Sequence, residues 1–242
     1  MKRLFTAIPN AIKDPHLVIP KLIHKCLPRR FAAAWRNHRI LDEDFGQRST
    51  FDRGECLDGA GQETPWYTYP AIEYLRQLDF SNLAVFEFGS GNSTIYWAKR
   101  CERLASVEND QAWYEKMKGK LPAKVSYRYE PDPAAYVATC GSYGTKFDVI
   151  VIDGRHRFEC AKAALSCLRS TGFIILDNSD WHERSSKLLR DADLIEVDFS
   201  GFGPVNDYTW TTSFYFTRSV QLKPAGVRQP MHGIGGQYYP ED

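Results

Sequence analysis

Two glycines follow an apolar stretch at the point where a buried strand would end, and a carboxylate precedes them. Residues 85–88 lead into Gly89 and Gly91, and Glu87 stands two positions before the first glycine. Glycines allow a tight turn and let a ligand approach the backbone closely, while the helix that follows offers free N–H groups. The pattern predicts a ligand-binding turn; the alternative is a glycine turn that serves only strand-to-helix packing.

Residue 94 and Glu87 narrow the class of ligand. Position 94 is Thr, so the third glycine of the dinucleotide-binding fingerprint is absent. Glu87 would also repel the pyrophosphate of a nicotinamide cofactor. A carboxylate at this position favours a cationic or amine-bearing ligand.

A second acidic residue, Glu108, ends the next predicted strand, seventeen residues after Gly91. A carboxylate at the tip of the second strand can hold a ribose diol, because it accepts hydrogen bonds from both hydroxyls. The spacing therefore predicts ribose binding. An acid that is merely solvated at a strand end is the alternative.

Further polar residues follow two later apolar strands. Asp153 comes after "VIVI", and Asp177 and Asn178 come after "FIIL". Because ligands sit at the carboxyl ends of parallel strands, we expect these side chains in the same cleft. His156 and His182 are the candidate general bases, since an unperturbed imidazole titrates near ~6.5. We favour His156, which follows the Asp153 turn directly; surface positions are the alternative for both.

The elements that must position these residues show in the hydrophobic pattern from Pro70 onward. Strand-like and helix-like segments alternate, which predicts a parallel sheet with helices on both faces. The loop between the last two strands is too short for a crossover helix, so the last pair is predicted to be antiparallel. The predicted strands cover residues 83–89, 103–109, 123–130, 146–154, 172–178, 194–201 and 209–218.

The domain organisation follows from this pattern. Residues 1–65 are helix-prone in pieces, at 17–26 and 30–45, and we expect a helical N-terminal extension. Residues 66–219 form the predicted α/β domain, a seven-stranded, mostly parallel sheet with the last strand antiparallel. Residues 220–242 are rich in Pro and Gly and predict an extended tail.

The glycine turn, Glu108 and the terminal hairpin resemble those of the class I S-adenosylmethionine-dependent methyltransferases, which have a Rossmann-like sheet. The resemblance covers roughly residues 66–218. It implies that S-adenosylmethionine is the cofactor, that the glycine turn passes under its methionine part, and that Glu108 binds its ribose. The cofactor-binding residues that it implies are Glu87, Gly89, Ser90, Gly91, Glu108, Asn109 and Asp153.

Asp153, Asp177 and Asn178 are similar in placement to the metal ligands of the divalent-metal-dependent O-methyltransferases. That resemblance implies Mg²⁺ or Mn²⁺ on these three residues, and oxygen ligands suit such hard cations. The chain departs from that pattern in having Gly154-Arg155-His156-Arg157 after the first Asp, and no Lys stands where a catalytic base would be expected. The alternative makes Asp153 and His156 the catalytic residues without a metal, and makes Asp177 and Asn178 a cap for the next helix.

The implied function is O-methylation of a small-molecule or glycan acceptor. The alternatives are a nicotinamide-dependent oxidoreductase, a nucleic-acid methyltransferase, and a binding module that keeps the fold without catalysis. The missing third glycine argues against the first, and the absence of an Asn/Asp-Pro-Pro-aromatic tetrad after the fourth strand argues against the second. Arg155 and Arg157 would bind an anionic acceptor or pair with surface acids.

Aromatic residues and charge raise two further questions. Trp66, Tyr67 and Tyr69 precede the first helix of the sheet domain, where they would line the acceptor pocket, clamp the cofactor or join the extension to the domain.

Residues 1–39 carry a net charge of +8 and the remainder −7. The basic segment predicts a helical cap, a homo-oligomer contact or, least favoured, a contact with an anionic membrane. Scattered cysteines without a secretory signal predict a cytoplasmic protein, and no nucleic-acid partner is expected.

Overall fold

The computed structural model describes residues 28–227 and 229–237. The described part of the N-terminal extension contains helix α1 (Arg29–Arg39), which continues as a π-helical turn (Ile40–Asp44), and helix α2 (Gln47–Arg53). The helix predicted over residues 30–45 is therefore present, with a change of helical type near its end. The helix predicted over residues 17–26 lies outside the described residues, as does most of the basic segment.

Seven strands form one sheet in the order β3-β2-β1-β4-β5-β7-β6. Strands β1 to β5 are parallel to one another, and β7 runs antiparallel to both β5 and β6. This confirms the predicted fold class. The strands are β1 (Ala84–Phe88), β2 (Arg103–Glu108), β3 (Val125–Tyr129), β4 (Phe147–Ile152), β5 (Leu168–Leu176), β6 (Ile195–Gly201) and β7 (Trp210–Phe216).

Helices connect the strands and cover both faces of the sheet. Two of the helices that follow strands are capped by a local Asp: the side chain of Asp110 accepts from the Trp113 amide, and that of Asp132 from the Ala135 amide. The helices are α3 (Tyr69–Arg76), α4 (Asn92–Arg100), α5 (Gln111–Lys118), α6 (Pro133–Ala138), α7 (Arg157–Cys167) and α8 (Glu183–Asp191).

Strand β5 begins four residues earlier than the sequence predicts. Leu168 pairs with Phe147, and regular pairing with β4 resumes only at Phe173 opposite Val149. The bulged stretch includes Gly172, where an added Cβ would lie 2.2 Å from the Asp148 carbonyl oxygen. The close approach of the two backbones explains why a glycine stands inside a strand.

Two hydrophobic clusters lie on opposite faces of the sheet, because side chains alternate along each strand. Phe86 and Phe88 of β1 point into one cluster, and Val85 points into the other. Strands β1 and β4 are buried along their whole length, as expected for central strands of a parallel sheet. No helix within the described residues combines the length and apolar character needed to cross a bilayer.

The strand order places the topological switch point between β1 and β4. The chain leaves β1 toward β2 and β3 on one side, and returns to β4 and β5 on the other. The connections that leave β1 and β4 therefore diverge, which opens a crevice at the carboxyl ends of these strands. The glycine turn and Asp153 both lie at this crevice.

Candidate active site

The turn after β1 requires glycine because of a close backbone contact. Gly89 has φ +104°, in the region that side chains disfavour, and an added Cβ would lie 3.1 Å from the backbone of Gly154 after β4. A Cβ on Gly154 would in turn lie 2.1 Å from the Tyr136 hydroxyl. Gly91 is extended, and its added Cβ would meet only Ser93 and Trp113 at 4.0 Å. The two strand ends thus pack backbone to backbone beneath the crevice.

Glu87 lies under the turn and is fully buried. Its carboxylate accepts hydrogen bonds from the hydroxyls of Ser93 and Thr94 in the first turn of α4, the latter at 2.6 Å. Burial raises the pKa of Glu87 to about 7, against the effect of these two hydroxyls. Ser93 lines the cavity described below, whereas Glu87 lies behind Ser93 and does not line it.

Glu108 at the tip of β2 is joined to the glycine turn by Ser90. The Ser90 hydroxyl donates to Oε2 of Glu108 at 2.7 Å and lies 2.8 Å from the Tyr127 hydroxyl. The other carboxylate oxygen, Oε1, accepts from the amides of Asn109 and Asp110 at 2.8 and 3.0 Å. The carboxylate is therefore held in one orientation, and Oε2 retains acceptor capacity for a further hydroxyl.

A cavity of about 330 Å³ lies beside the turn. The Trp113 indole forms one wall and donates from Nε1 to the Ser90 carbonyl oxygen at 2.9 Å. Cys56 of the N-terminal extension lies at the opposite side, held by a 2.8 Å hydrogen bond from the Asn92 side chain to its carbonyl oxygen. The residues that line the cavity include Trp66, Ser90, Gly91, Ser93, Trp113 and Asp153.

The side chains that follow β4 and β5 meet, as predicted, but they meet around Arg157. Its guanidinium donates to the Asp153 carboxylate at 3.1 Å, to the Asn178 side-chain oxygen at 2.9 Å and to the Gly154 carbonyl oxygen at 3.0 Å. It also donates to the Asp177 carbonyl oxygen. Only 13% of the Arg157 side chain is exposed, so Arg157 does not project toward an anionic acceptor, whereas Arg155 is exposed.

The two carboxyl groups share a buried environment. Oδ1 of Asp177 accepts from the Thr212 hydroxyl at 2.5 Å and from the Trp210 indole at 3.1 Å. Burial raises the pKa of Asp177, and the nearby charge of Asp153 raises it further. Burial also raises the pKa of Asp153, while Arg157 opposes that increase. The cluster therefore holds a proton more readily than two exposed aspartates would.

These contacts bear on the predicted Mg²⁺ or Mn²⁺ site. Asp153 and Asn178 direct side-chain oxygens to Arg157, and Asp177 directs one to β7. Among the described residues, no group of three or more His, Cys, Asp or Glu side chains is placed to hold a metal ion. As they are arranged, Asp153, Asp177 and Asn178 do not fit a divalent cation, because a guanidinium already occupies the space between them.

The two candidate bases differ in environment. His156 has φ +55° at the start of α7, is exposed, and packs edge-on against the Tyr136 ring at 6.2 Å. His182 is partly buried after β5, and both burial and the nearby charge of Arg157 lower its pKa. Neither imidazole is among the residues that line the 330 Å³ cavity. Arg157, which binds Asp153, therefore lies close enough to His182 for its charge to act on that imidazole.

The three aromatic residues before α3 separate into two roles. Trp66 is 45% exposed and lines the cavity. Tyr67 is fully buried, and its hydroxyl accepts from the Trp97 indole at 3.4 Å. Tyr69 packs against Phe45 of the N-terminal extension, with ring centroids 4.3 Å apart. Tyr67 and Tyr69 thus belong to the core and to the junction with the extension, and of the three only Trp66 lines the cavity beside the glycine turn.

Comparison with known proteins yields matches in structure alone. No protein-family model matches the sequence, and no curated protein matches it. A precorrin-6y C5,15-methyltransferase from Geobacter metallireducens is 14% identical, with a TM-score of 0.49 over 61% of this chain and 87% of that one. The N-methyltransferase NodS from Bradyrhizobium japonicum, in complex with S-adenosyl-L-homocysteine, is 16% identical, with a TM-score of 0.46 over 57% and 79%.

A spermidine synthase from Thermotoga maritima is also 16% identical, with a TM-score of 0.46 over 63% of this chain and 57% of that one. Similarity at this level concerns the fold alone. One fold can carry several chemistries, so the function of this chain must be argued from its own site.

Proposed function

We propose that the chain is an S-adenosylmethionine-dependent methyltransferase that methylates a hydroxyl oxygen of a small-molecule or glycan acceptor. The observation that carries the proposal is the hydrogen bond between Ser90 and Glu108. It joins a glycine turn at the switch point to a fixed carboxylate at the tip of β2, beside a cavity of about 330 Å³.

The residues of the turn fit the parts of this cofactor. Gly91 presents backbone without a side chain to the cavity, and Ser93 offers a hydroxyl that Glu87 polarises. A cationic ammonium group suits this position, since the neighbouring carboxylate is shielded from water. Oε2 of Glu108 accepts a ribose hydroxyl, and the exposed Trp113 indole provides an apolar wall for an aromatic base.

Bound S-adenosylmethionine supplies a methyl group on a positively charged sulfur. The chain must then align an acceptor oxygen with that methyl group and remove the proton of the hydroxyl. His182 is the proposed base, because burial and the nearby charge of Arg157 lower its pKa and so favour the neutral imidazole, which can accept a proton. Asp153 lines the cavity on the β4 side, and Arg157 holds its carboxylate with a 3.1 Å hydrogen bond.

The acceptor side is proposed to be the exposed aromatic surface near β5 and β7. Trp181 and Tyr208 are about half exposed, and their ring centroids lie 6.4 Å apart. Tyr208 also contacts Trp210, whose indole binds Asp177. Aromatic faces of this kind pack against sugar rings or planar molecules, which supports a glycan or small-molecule acceptor.

Activity is tested with the full chain and a panel of hydroxylated sugars and phenols. Release of S-adenosylhomocysteine is followed by mass spectrometry, with Glu108→Gln as the matched inactive control. The proposal predicts acceptor-dependent release by the native chain and little by the variant. Product release that is equal in the two proteins would contradict the assignment of the site.

A further inference from the structure

Arg157 occupies the position that a cation would take between the ends of β4 and β5. All three of its guanidinium nitrogens donate: Nε to Gly154, Nη1 to the backbone of Asp177 and to Asn178, and Nη2 to Asp153. Two of these acceptor residues, Asp153 and Gly154, follow β4, and the other two, Asp177 and Asn178, follow β5. A planar fork of donors is suited to such a cluster of fixed oxygens, whereas the point charge of Lys is not.

The backbone explains why Arg157 points inward. His156 has φ +55° and Asn178 has φ +51°, so each strand end turns through a left-handed residue. The turn at His156 starts α7 at Arg157 and returns its side chain over Asp153, four residues earlier. Left-handed non-glycine residues cost about 1 kcal/mol or more and persist where the surroundings fix them. Here both flank the same guanidinium.

The charge balance also favours a permanent cation. Asp153 and Asp177 are close enough for the charge of one to raise the pKa of the other, and Glu87 adds a third carboxyl beneath the turn. The guanidinium lowers the pKa of both aspartates. Without it, the buried carboxyl groups of Glu87 and Asp177 and the partly exposed one of Asp153 would lose the positive charge that Arg157 places beside them.

We propose that Arg157 is the resident cation of this site and does the positioning that a divalent metal ion would otherwise do. It holds the ends of β4 and β5 together and partly neutralises Asp153 and Asp177. It is a positioning residue rather than a catalytic one. Its relevance to turnover rests on the proposed function, but the inference itself concerns the charge of the site and is tested without turnover.

The first test is a titration of Mn²⁺ into the native chain and into Asp153→Asn, with bound and free ion distinguished by electron paramagnetic resonance. We expect no difference between the two proteins, because the oxygen of Asp153 is already bound to Arg157. One Mn²⁺ bound per native chain and lost in Asp153→Asn would overturn the proposal.

The second test compares Arg157→Gln with Arg155→Gln, which removes the same charge from an exposed neighbour. Thermal unfolding is measured at about pH 5 and about pH 8. Without the guanidinium, ionisation of Asp153 and Asp177 destabilises the fold more strongly. The Tm of Arg157→Gln should therefore fall by about 5 °C more between pH 5 and pH 8 than the Tm of the native chain does. Arg155→Gln should follow the native chain.

Arg157→Lys keeps the positive charge but lacks the planar set of guanidinium donors. This variant keeps the test decisive if Arg157→Gln does not fold. It should be less stable than the native chain at both pH values but keep the native pH dependence. A native pH dependence in Arg157→Gln, or a steeper one in Arg157→Lys than in the native chain, would contradict the assigned role. Binding of S-adenosylhomocysteine, measured separately, reports on the proposed function and not on this inference.

Discussion

The hydroxyl of Ser90 donates a 2.7 Å hydrogen bond to the carboxylate of Glu108. This contact links the turn after β1 with the end of β2, which are eighteen residues apart in the chain. The two segments are adjacent because β1 pairs with β2 in parallel, with Phe88 opposite Val107.

The two glycines of the turn should have separable effects. Gly89→Ala places a side chain at φ +104° and within 3.1 Å of the Gly154 backbone, so it should cost about 1–3 kcal/mol of unfolding free energy. Gly91→Ala meets nothing closer than 4.0 Å and should fold normally, but its methyl group enters the cavity and should weaken S-adenosylhomocysteine binding. Denaturant unfolding and calorimetry measure the two effects. Equal stability of Gly89→Ala and Gly91→Ala would count against this reading of the turn.

The buried carboxyl of Glu87 should make stability fall as pH rises. Its pKa is raised from 4.5 in the unfolded chain to about 7, so the native state retains a proton that the unfolded state releases. The associated stability is fully present below about pH 4.5 and is lost as pH rises through about 7. The loss is at most about 3 kcal/mol, since each unit of pKa corresponds to about 1.4 kcal/mol.

Glu87→Gln should remove this pH dependence, because the amide does not ionise; its oxygen accepts from one of the two hydroxyls, Ser93 or Thr94, and its NH2 group donates to the other. Denaturant unfolding from about pH 5 to about pH 8 should give a flatter profile for the variant than for the native chain. Glu102→Gln changes an exposed carboxyl and should leave the profile unchanged. The interpretation fails if Glu87→Gln and Glu102→Gln behave alike.

Trp113 should contribute to cofactor binding through both its ring and its N–H group. Trp113→Phe keeps an aromatic wall and loses the bond to the Ser90 carbonyl oxygen, which should weaken S-adenosylhomocysteine binding by about 1 kcal/mol. Trp113→Ala loses the wall as well and should bind more weakly still. Trp181→Phe, on the proposed acceptor side, is the control and should bind as the native chain does. Full affinity in Trp113→Ala would remove this residue from the site.

His182 should act as the base in place of His156. His182→Gln is expected to lower kcat by about 10²–10⁴-fold with little change in cofactor affinity, because the acceptor proton then has no nearby acceptor. His156→Gln is the matched control and should retain most activity, since His156 packs against Tyr136 at the surface. The reverse pattern would restore His156, the residue that the sequence favours.

The sheet and the cleft were accessible from the sequence because their signals are local. Apolar runs such as residues 147–152, and the glycine and acidic residues that end strands, identify the elements and the edge that carries the site. Glu108 and Asp153 lie at the predicted strand ends.

The directions of the side chains that follow the strand ends could not be predicted from the sequence. Sequence spacing groups Asp153 with Asp177 and Asn178, but the left-handed turn at His156 decides that Arg157 enters between them. The carboxylate of Glu87 likewise faces the first turn of α4, where it accepts from the hydroxyls of Ser93 and Thr94. Trp113 was missed, although its place in the helix capped by Asp110, directly after Glu108, was a signal.

The central claim is that Glu108 and the glycine turn bind an adenosyl cofactor, and isothermal titration calorimetry with S-adenosylhomocysteine tests it most directly. The native chain should bind one equivalent, and Glu108→Ala should bind about 1–3 kcal/mol more weakly, roughly five- to 150-fold in Kd, because the ribose hydroxyls lose their acceptor. Glu102→Ala, at the opposite end of β2, should match the native chain. No binding by the folded native chain, or the same Kd in Glu108→Ala, would contradict the account.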